Sequence, residues 1–388
     1  MDDVKATLER LNVCVIIPTY NNAKTLKRVV DSVVTYTNDV IVVNDGATDA
    51  TSEILSNYPQ LTHVKHPHNI GKGMALRNGF AKARELGFEY AITIDSDGQH
   101  FASDIPVFLN EIEAHGQALL IGGRNMTQEG VPKKSSFGNN FSNFWFWFET
   151  GIRLQDTQSG YRMYPLNRIP STYFTKKFEF EIEVIVRSAW RFVPVKNVPI
   201  QVLYDPNERV SHFRPFKDFT RISILNTVLV TICLLWIFPR NIFLKLKKKG
   251  VKRFFLENVI HSEDSPRKKA LSIALGVFIG ISPFWGFQTV LSLFLPTLFK
   301  LNKAITFAFS NVSIPPMIPF VVAGSLWVGS LFYDTGAPLF PELPITFQKL
   351  SAHFGQYIIG SLTLAAVTAV VSGFVAYGLL SAIKKESV

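Results

Sequence analysis

Two carboxylates one residue apart, at the end of an apolar run, carry the clearest chemical signal in the chain. The stretch is Tyr90-Ala-Ile-Thr-Ile-Asp95-Ser-Asp97-Gly-Gln99-His100. Strand-forming residues lead into Asp95 and Asp97, and the chain then turns. Ligands of open α/β sheets bind at that end of the strands. Two hard oxygen donors suit Mg²⁺ or Mn²⁺, neither of which needs a cage made wholly of protein. A diphosphate would supply the remaining oxygens, and the metal would neutralise charge on a departing nucleoside diphosphate. Asp-Ser-Asp-Gly is also the composition of a surface turn. A calcium loop is disfavoured, because Gly98 comes too early and the twelfth position is Pro106 rather than Glu.

The elements that must position these groups follow from the residues around them. Val13–Ile17, ended by Pro18, reads as a buried parallel strand. Ala23 to Thr37 has helical spacing, with Leu26, Val29, Val30 and Val33 on one face. Val40–Val43 is a second strand ending in Asn44-Asp45-Gly46, and Thr48-Asp49 opens a helix with a capping signature. His63-Val64 is a short third strand, and Gly71-Lys72-Gly73 opens a helix to Glu85. Alternation of strand and helix implies a parallel α/β sheet. Three strand ends then carry polar residues: Pro18-Thr19-Tyr20-Asn21, Asn44-Asp45-Gly46 and Asp95-Ser96-Asp97. An Asp there can accept hydrogen bonds from a base or ribose, and Lys72 at a helix start can meet a diphosphate.

Charge is unevenly placed. Residues 1–220 hold 24 Lys+Arg and 24 Asp+Glu, residues 221–269 hold 11 and 3, and residues 270–388 hold 5 and 3. The basic excess therefore sits beside apolar runs, as in a membrane-surface polybasic patch. A nucleic-acid protein would carry it on the folded domain, so no nucleic-acid partner is expected. Cys14 and Cys233 imply neither a disulfide framework nor a zinc site. Met1 to Asn12 is too polar for a signal peptide, so the N-terminal domain is expected in the cytoplasm.

The first half resembles family 2 glycosyltransferases of the GT-A fold, in the dolichyl-phosphate mannosyltransferase and polyprenyl-phosphate glycosyltransferase branch. The resemblance rests on Val15–Asn21, Val43–Asp49, Asn69–Gly73, Asp95–His100, Ile121–Arg124 and Asp156–Arg162. It implies a Rossmann-like mixed sheet and a donor of the GDP-mannose or UDP-glucose type. Pro18, Thr19, Tyr20, Asn22, Asp45, Lys72 and Asp95 would bind the nucleotide sugar. Asp95, Asp97 and Gln99 would hold the metal. Arg124, with Lys134, Ser136, Ser159 and Arg162, would receive an acceptor phosphate. Asp97, Asp156 and Arg124 would be catalytic, and transfer would invert the sugar. The branch usually has Glu at position 22 and an Asp pair at 44–45, so the donor base stays open. Lys133-Lys134-Ser135-Ser136 stands where a second Arg is expected. Arg187-Ser-Ala-Trp190 does not match the Gln-x-x-Arg-Trp of processive synthases, which favours transfer of a single sugar.

Asn140 to Phe148 is dense in aromatics and reads either as a core helix or as a surface that meets lipid. Phe178 to Glu183 alternates before a helical stretch, with its Glu residues either solvated or, for Glu181, near the acceptor. Ser211 to Phe219 mixes rings and basic groups and reads as an amphipathic lead onto a membrane.

Four stretches lack charge: 222–239, 270–299, 304–333 and 354–383. A span needs ~20 apolar residues, so counting alone gives four spans. Ten basic residues between Arg240 and Lys269 would then face outward, against the positive-inside bias. The alternative keeps 222–239 in the inner leaflet and folds 270–299 back at Ser282-Pro283. Residues 304–333 and 354–383 then span. Re-entrant backbone must be covered by protein, which suggests tight packing or a homo-oligomer. From about residue 255 the chain resembles a bacterial membrane domain whose function is not established. The expected domains are 1–220, a basic juxtamembrane segment 221–269 and an all-α membrane domain 270–388.

These readings point to a multi-pass enzyme of the cell (inner) membrane with its catalytic domain in the cytoplasm. Its substrates would be a nucleotide sugar and a polyprenyl (dolichyl or undecaprenyl) phosphate. A transferase with a lipid hydroxyl acceptor, and a transporter, flippase or scaffold that only binds the nucleotide, are the alternatives.

Overall fold

The structure, a computed structural model, describes residues 2–125, 133–203, 214–241, 244, 263–284, 286–311, 317–333 and 353–386. The chain divides into two compact units, Met1–Val230 and Thr231–Val388.

The first unit is built on strands β1 (Val13–Thr19), β2 (Val40–Asn44), β3 (Thr62–Lys65), β4 (Tyr90–Thr93), β5 (Leu119–Gly123), β6 (Arg162–Pro165) and β7 (Val195–Pro199). They form one sheet in the order β3-β2-β1-β4-β6-β5-β7. β1, β2 and β4 are buried along their whole length. Helices cover both faces of such a sheet, so its central strands have no polar side. β1 runs parallel to both β2 and β4. β6 runs antiparallel to β4 and β5, which makes the sheet mixed.

The helices of this unit are α1 (Asp2–Arg10), α2 (Ala23–Val34), α3 (Thr51–Ser56), α4 (Lys72–Glu85), α5 (Ile105–His115), α6 (Lys133–Thr150) and α7 (Phe180–Ala189). α2 buries Leu26, Val29, Val30 and Val33, the face its spacing predicts. Each such side chain stabilises the fold by about 1.5–3 kcal/mol relative to exposure. α3 starts later than its capping signature suggests. The Asp49 carboxylate accepts from Thr51 N at 3.1 Å and also from Ala23 N at 2.9 Å, so it holds the starts of α3 and α2 together. α6 is a core helix on one side: Phe146 and Phe148 are buried, while Phe144 is 41% exposed. The Glu residues of α7 are not a solvated face. Glu183 is fully buried and accepts from Phe174 N, Thr175 N and Thr175 Oγ1, with Arg187 paired to it at 2.5 Å.

The first apolar run departs from expectation. It lies in a continuous helix, Phe216–Asn241, of 26 residues. This comprises α8 (Pro215–Ile232), a π-turn (Cys233–Ile237) and a short continuation. At ~1.5 Å per residue this exceeds the ~30 Å of a bilayer core. The charge-free count ran short because the helix continues through Asp218, Arg221 and Arg240 at its ends.

The described part of the second unit is helical. Its helices are α9 (Pro266–Ile281), α10 (Gln288–Leu298), α11 (Lys303–Ser310), α12 (Ile318–Ser330) and α13 (Phe354–Glu386). The 270–299 stretch does break at Ser282, as its Pro283 predicts. The 304–333 stretch is not one span but two short helices, α11 and α12. Pro315 and Pro316, which lack the N–H a helix needs, lie between them in the sequence. Among the described residues, Phe216–Asn241 and Phe354–Ala382 are the helices long and apolar enough to cross a membrane. Small residues bring backbones together here. A Cβ at Gly276 or Gly280 of α9 would fall 2.6 or 2.7 Å from the carbonyl oxygens of Thr306 and Ser310 on α11. At the start of α11, Asn302 donates from Nδ2 to Asp264, just ahead of α9, at 2.7 Å and from its backbone to Ser272 Oγ, within α9, at 2.9 Å.

Candidate active site

The strand order reverses between β1 and β4, whose neighbours on either side connect in opposite directions. A crevice opens at that point beyond the carboxyl ends of the strands. It holds a cavity of about 580 Å³. Pro18, Thr19, Tyr20 and Asn22 line it from the end of β1, and Asp45 from the end of β2. Lys72, the first residue of α4, and Asp95, Asp97 and Gln99 beyond β4 complete the predicted lining.

The loops around the cavity are stitched by side chains. Asn22 Nδ2 donates to Ser96 Oγ at 2.8 Å, and Thr25 Oγ1 to Ser96 O at 2.6 Å. Gln99 N donates to Asp97 Oδ1 at 3.1 Å across a turn that needs Gly98 at φ +74°. Asp45 does more than face the cavity. Its carboxylate accepts from Ile70 N at 3.0 Å and Gly71 N at 2.8 Å, fixing the start of α4. His66 Nδ1 lies 2.7 Å from the same carboxylate, and Asn78 Nδ2 lies 2.8 Å from His66 Nε2. An amide N–H on Nε2 leaves the imidazole proton on Nδ1, pointing at Asp45.

Lys72 is pinned between carboxylates. Its Nζ stands 2.9 Å from both oxygens of Asp95 and 3.2 Å from Glu181 Oε2. Burial opposes the ammonium charge, but Asp95 and Glu181 outweigh it and raise the pKa above that of free Lys. Burial also opposes the Asp95 charge, and Lys72 and then His100 hold that carboxyl below the usual range. Burial pushes His100 down to about 4, so it is neutral at physiological pH.

The residues expected at the acceptor lie elsewhere. Asp156 is fully buried, and Arg124 closes on it with Nε at 2.6 Å from Oδ2 and an NH₂ group at 3.1 Å from Oδ1. Gln158 N and Ser159 N donate to Asp156 Oδ1 as well. Burial works against this carboxylate, and Arg124 with the backbone N–H groups outweighs it, holding the group below the usual range. A buried carboxylate demands such a partner, so the Arg124 fork meets Asp156 rather than opening onto the cavity. Arg162 is fully buried too, and its guanidinium donates to the carbonyls of Ser159, Glu181 and Thr157 at 2.6, 2.6 and 2.9 Å. Ser159 Oγ accepts from Tyr161 N at 3.3 Å. None of Arg124, Asp156, Ser159 and Arg162 lines the cavity. The side chains of Lys134 and Ser136 lie outside the described ones.

Lys177 and Arg214 line the cavity without having been singled out in the sequence. Arg214 sat in a stretch read as a membrane lead, and nothing in its neighbours distinguishes the two roles. Glu181 was left between two readings, and its place beside Lys72 depends on a contact 109 positions apart in the chain.

Residues 14–167 match the family described as Glycosyl transferase family 2. The N-terminal domain is a family 2 glycosyltransferase domain. Residues 251–388 match a family described as Uncharacterized protein conserved in bacteria (DUF2062). A UDP-N-acetylglucosamine–dolichyl-phosphate N-acetylglucosaminyltransferase from Methanococcus voltae is 28% identical over 212 residues, covering 49% of this chain and 84% of the relative. A dolichyl-phosphate beta-glucosyltransferase from Saccharomyces cerevisiae is 25% identical over 228 residues, covering 50% of this chain and 67% of the relative. Among solved structures, glucosyl-3-phosphoglycerate synthase from Mycobacterium tuberculosis, in complex with Mn²⁺, UDP and phosphoglyceric acid, aligns with a TM-score of 0.46. Its identity is 17%, over 60% of this chain and 82% of that one. The chain is thus an enzyme, a glycosyltransferase, joined to a helical bacterial domain.

Proposed function

We propose that this glycosyltransferase moves one sugar from a nucleotide sugar to a polyprenyl phosphate at the cytoplasmic face of the cell membrane. The observation that carries the reading is the crevice itself. Polar groups for a nucleoside stand at the ends of β1 and β2, and two carboxylates and a lysine for a diphosphate stand beyond β4 and at the start of α4. The relatives named above act, by their names, on dolichyl phosphate.

The donor set fits a divalent cation. Asp95, Asp97 and Gln99 all line the cavity, which puts two carboxylates and an amide oxygen within one short turn. Mg²⁺ or Mn²⁺ needs few protein ligands when it shares its sphere with phosphate oxygens. Asp95 and Asp97 would hold the ion, with the Gln99 amide oxygen beside them. When bound, the ion supplies charge neutralisation for the leaving diphosphate. Thr19, Tyr20 and Asn22 would orient the nucleoside, and Asp45 would shape the floor beneath it.

One feature favours a phosphate acceptor over a lipid hydroxyl. A hydroxyl needs a general base, and Asp156, one of the two carboxylates the resemblance makes catalytic, is locked on Arg124 and held below the usual carboxylate range. A phosphate monoester, with its second pKa at about 6, is already a nucleophile near neutral pH. It needs positive charge, which Lys177 and Arg214 supply at the cavity. A single displacement of the diphosphate then inverts the sugar. Arg214 lies two residues before Phe216, which is 91% exposed, and the following helix also exposes Phe219, Ile224 and Val228. So large an exposed apolar surface suits lipid, and it would bring a membrane-borne acceptor to Arg214.

The test is incubation of the purified chain with labelled nucleotide sugars and either polyprenyl phosphate or free polyprenol, followed by lipid extraction. Label on polyprenyl phosphate alone, abolished by EDTA, is expected. Equal labelling of the free alcohol would overturn the acceptor assignment.

A further inference from the structure

We propose that Lys72 is a built-in counter-cation of Asp95 that competes with the divalent metal for that carboxylate, and that Glu181 is the positioning residue that draws it off. The inference rests on the metal-assisted reading above and adds an order of loading to it. Lys72 Nζ sits equally close, at 2.9 Å, to both oxygens of Asp95, the contact a small cation makes with a carboxylate. Glu181 Oε2 holds the same nitrogen at 3.2 Å from the other side. The three side chains are 19, 21 and 10% exposed, so water screens them weakly. Glu181 Oε1 is buried without a hydrogen-bond partner, which leaves that carboxylate with unused capacity for the ammonium.

The surroundings are cut to this contact. A Cβ on Gly160 would overlap Asp95 Oδ2 and stand 2.9 Å from Lys72 Nζ. A glycine is therefore what lets the ammonium and the carboxylate meet at this spot. A dication arriving at Asp95 and Asp97 meets an ammonium already on one of its ligands, and the like charges repel. The ammonium has two ways to yield. It can move fully onto Glu181, or onto oxygens of the donor diphosphate. The second route satisfies metal, lysine and diphosphate together, so metal and diphosphate should load cooperatively and metal alone should load poorly.

The experiment titrates Mn²⁺ into the purified full chain, reading free Mn²⁺ by electron paramagnetic resonance, without nucleotide and with GDP or UDP. Lys72→Met should tighten binding of Mn²⁺ alone on the order of tenfold, the size of effect one neighbouring charge has on an ionic equilibrium. It should also weaken GDP or UDP binding at saturating Mn²⁺. Glu181→Gln should move the Mn²⁺ affinity the opposite way, because Lys72 then leans on Asp95 alone. Lys72→Arg keeps the charge and should not tighten Mn²⁺ binding. Unchanged or weaker Mn²⁺ binding by Lys72→Met would overturn the proposal, as would a shift of the same sign for Glu181→Gln. If the unaltered chain binds no Mn²⁺ even with GDP or UDP, the metal-assisted reading itself fails, and this inference with it.

Discussion

The two halves of the central sheet treat charge in opposite ways. On the β3-β2-β1-β4 side, Asp95, Asp97 and Lys72 reach a cavity, and part of their hydrogen-bonding capacity faces outward. On the β6-β5-β7 side, Arg124, Asp156 and Arg162 are spent on one another and on backbone carbonyls. The two groups look alike as motifs, yet one lines a cavity and the other closes on itself and on nearby backbone. They touch at Gly160, whose carbonyl accepts from Thr93 Oγ1 at 2.7 Å and whose Cα faces Asp95. The closed network thus meets the open site through this glycine.

The comparison can be broken at either half. The largest effect is expected for Asp97→Asn, which should cut transfer about a thousandfold, worth ~4 kcal/mol of barrier, with the melting temperature unchanged. EDTA on the unaltered enzyme should match it. Full activity in EDTA would remove the metal from the reading.

Asp156→Asn should act on the other axis. It strands Arg124 beside a buried neutral group and should cost about 3 kcal/mol of stability, measured as a lower denaturant midpoint. The sign with pH follows from the depressed pKa. The contribution of Asp156 is present above its ordinary value of 3.8 and is lost as pH falls towards its lower folded value. Acid unfolding in that window should be shallower in the variant. A variant of unchanged stability that loses its acceptor KM would instead place Asp156 and Arg124 at the substrate.

Gly160→Ala probes the seam. It should leave the fold largely intact but displace Asp95 or Lys72, lowering kcat about tenfold, or ~1.4 kcal/mol. Arg214→Ala should give the smallest change, raising the KM for polyprenyl phosphate roughly fivefold, or ~1 kcal/mol for one exposed charge. The KM for the nucleotide sugar should hardly move.

The lining of the open half was legible in the sequence, whereas the pairing inside the closed half was not. β1, β2 and β4 are short apolar runs that end in polar residues, and a run buried on both faces leaves that trace directly. The cavity-lining residues stand at or just beyond the strand ends, so locating the strands located Thr19, Asp45 and Asp95. Arg124 and Arg162 gave no such cue. Whether a guanidinium meets a ligand or a buried partner is decided by a contact with Asp156, 32 positions on, or with the carbonyl of Glu181, 19 positions on. The helix at Phe216–Asn241 was shortened for a different reason. Counting uncharged residues ignores that a helix runs on through charges at its ends, where long side chains reach water.

The glycine contact between α9 and α11 has a mechanical consequence. Gly276 meets the carbonyl of Thr306, and Gly280 that of Ser310. The helices therefore run in the same direction, with notches and pegs both repeating every four residues. Sliding one past the other by part of a turn would drive a Cβ into a carbonyl. Sliding by a whole turn, ~5.4 Å, with Gly276 moved to Ser310, would bring Ser272 and its Cβ against the carbonyl of Thr306. The pair is a key in a slot: it fixes the register of the two helices against shear.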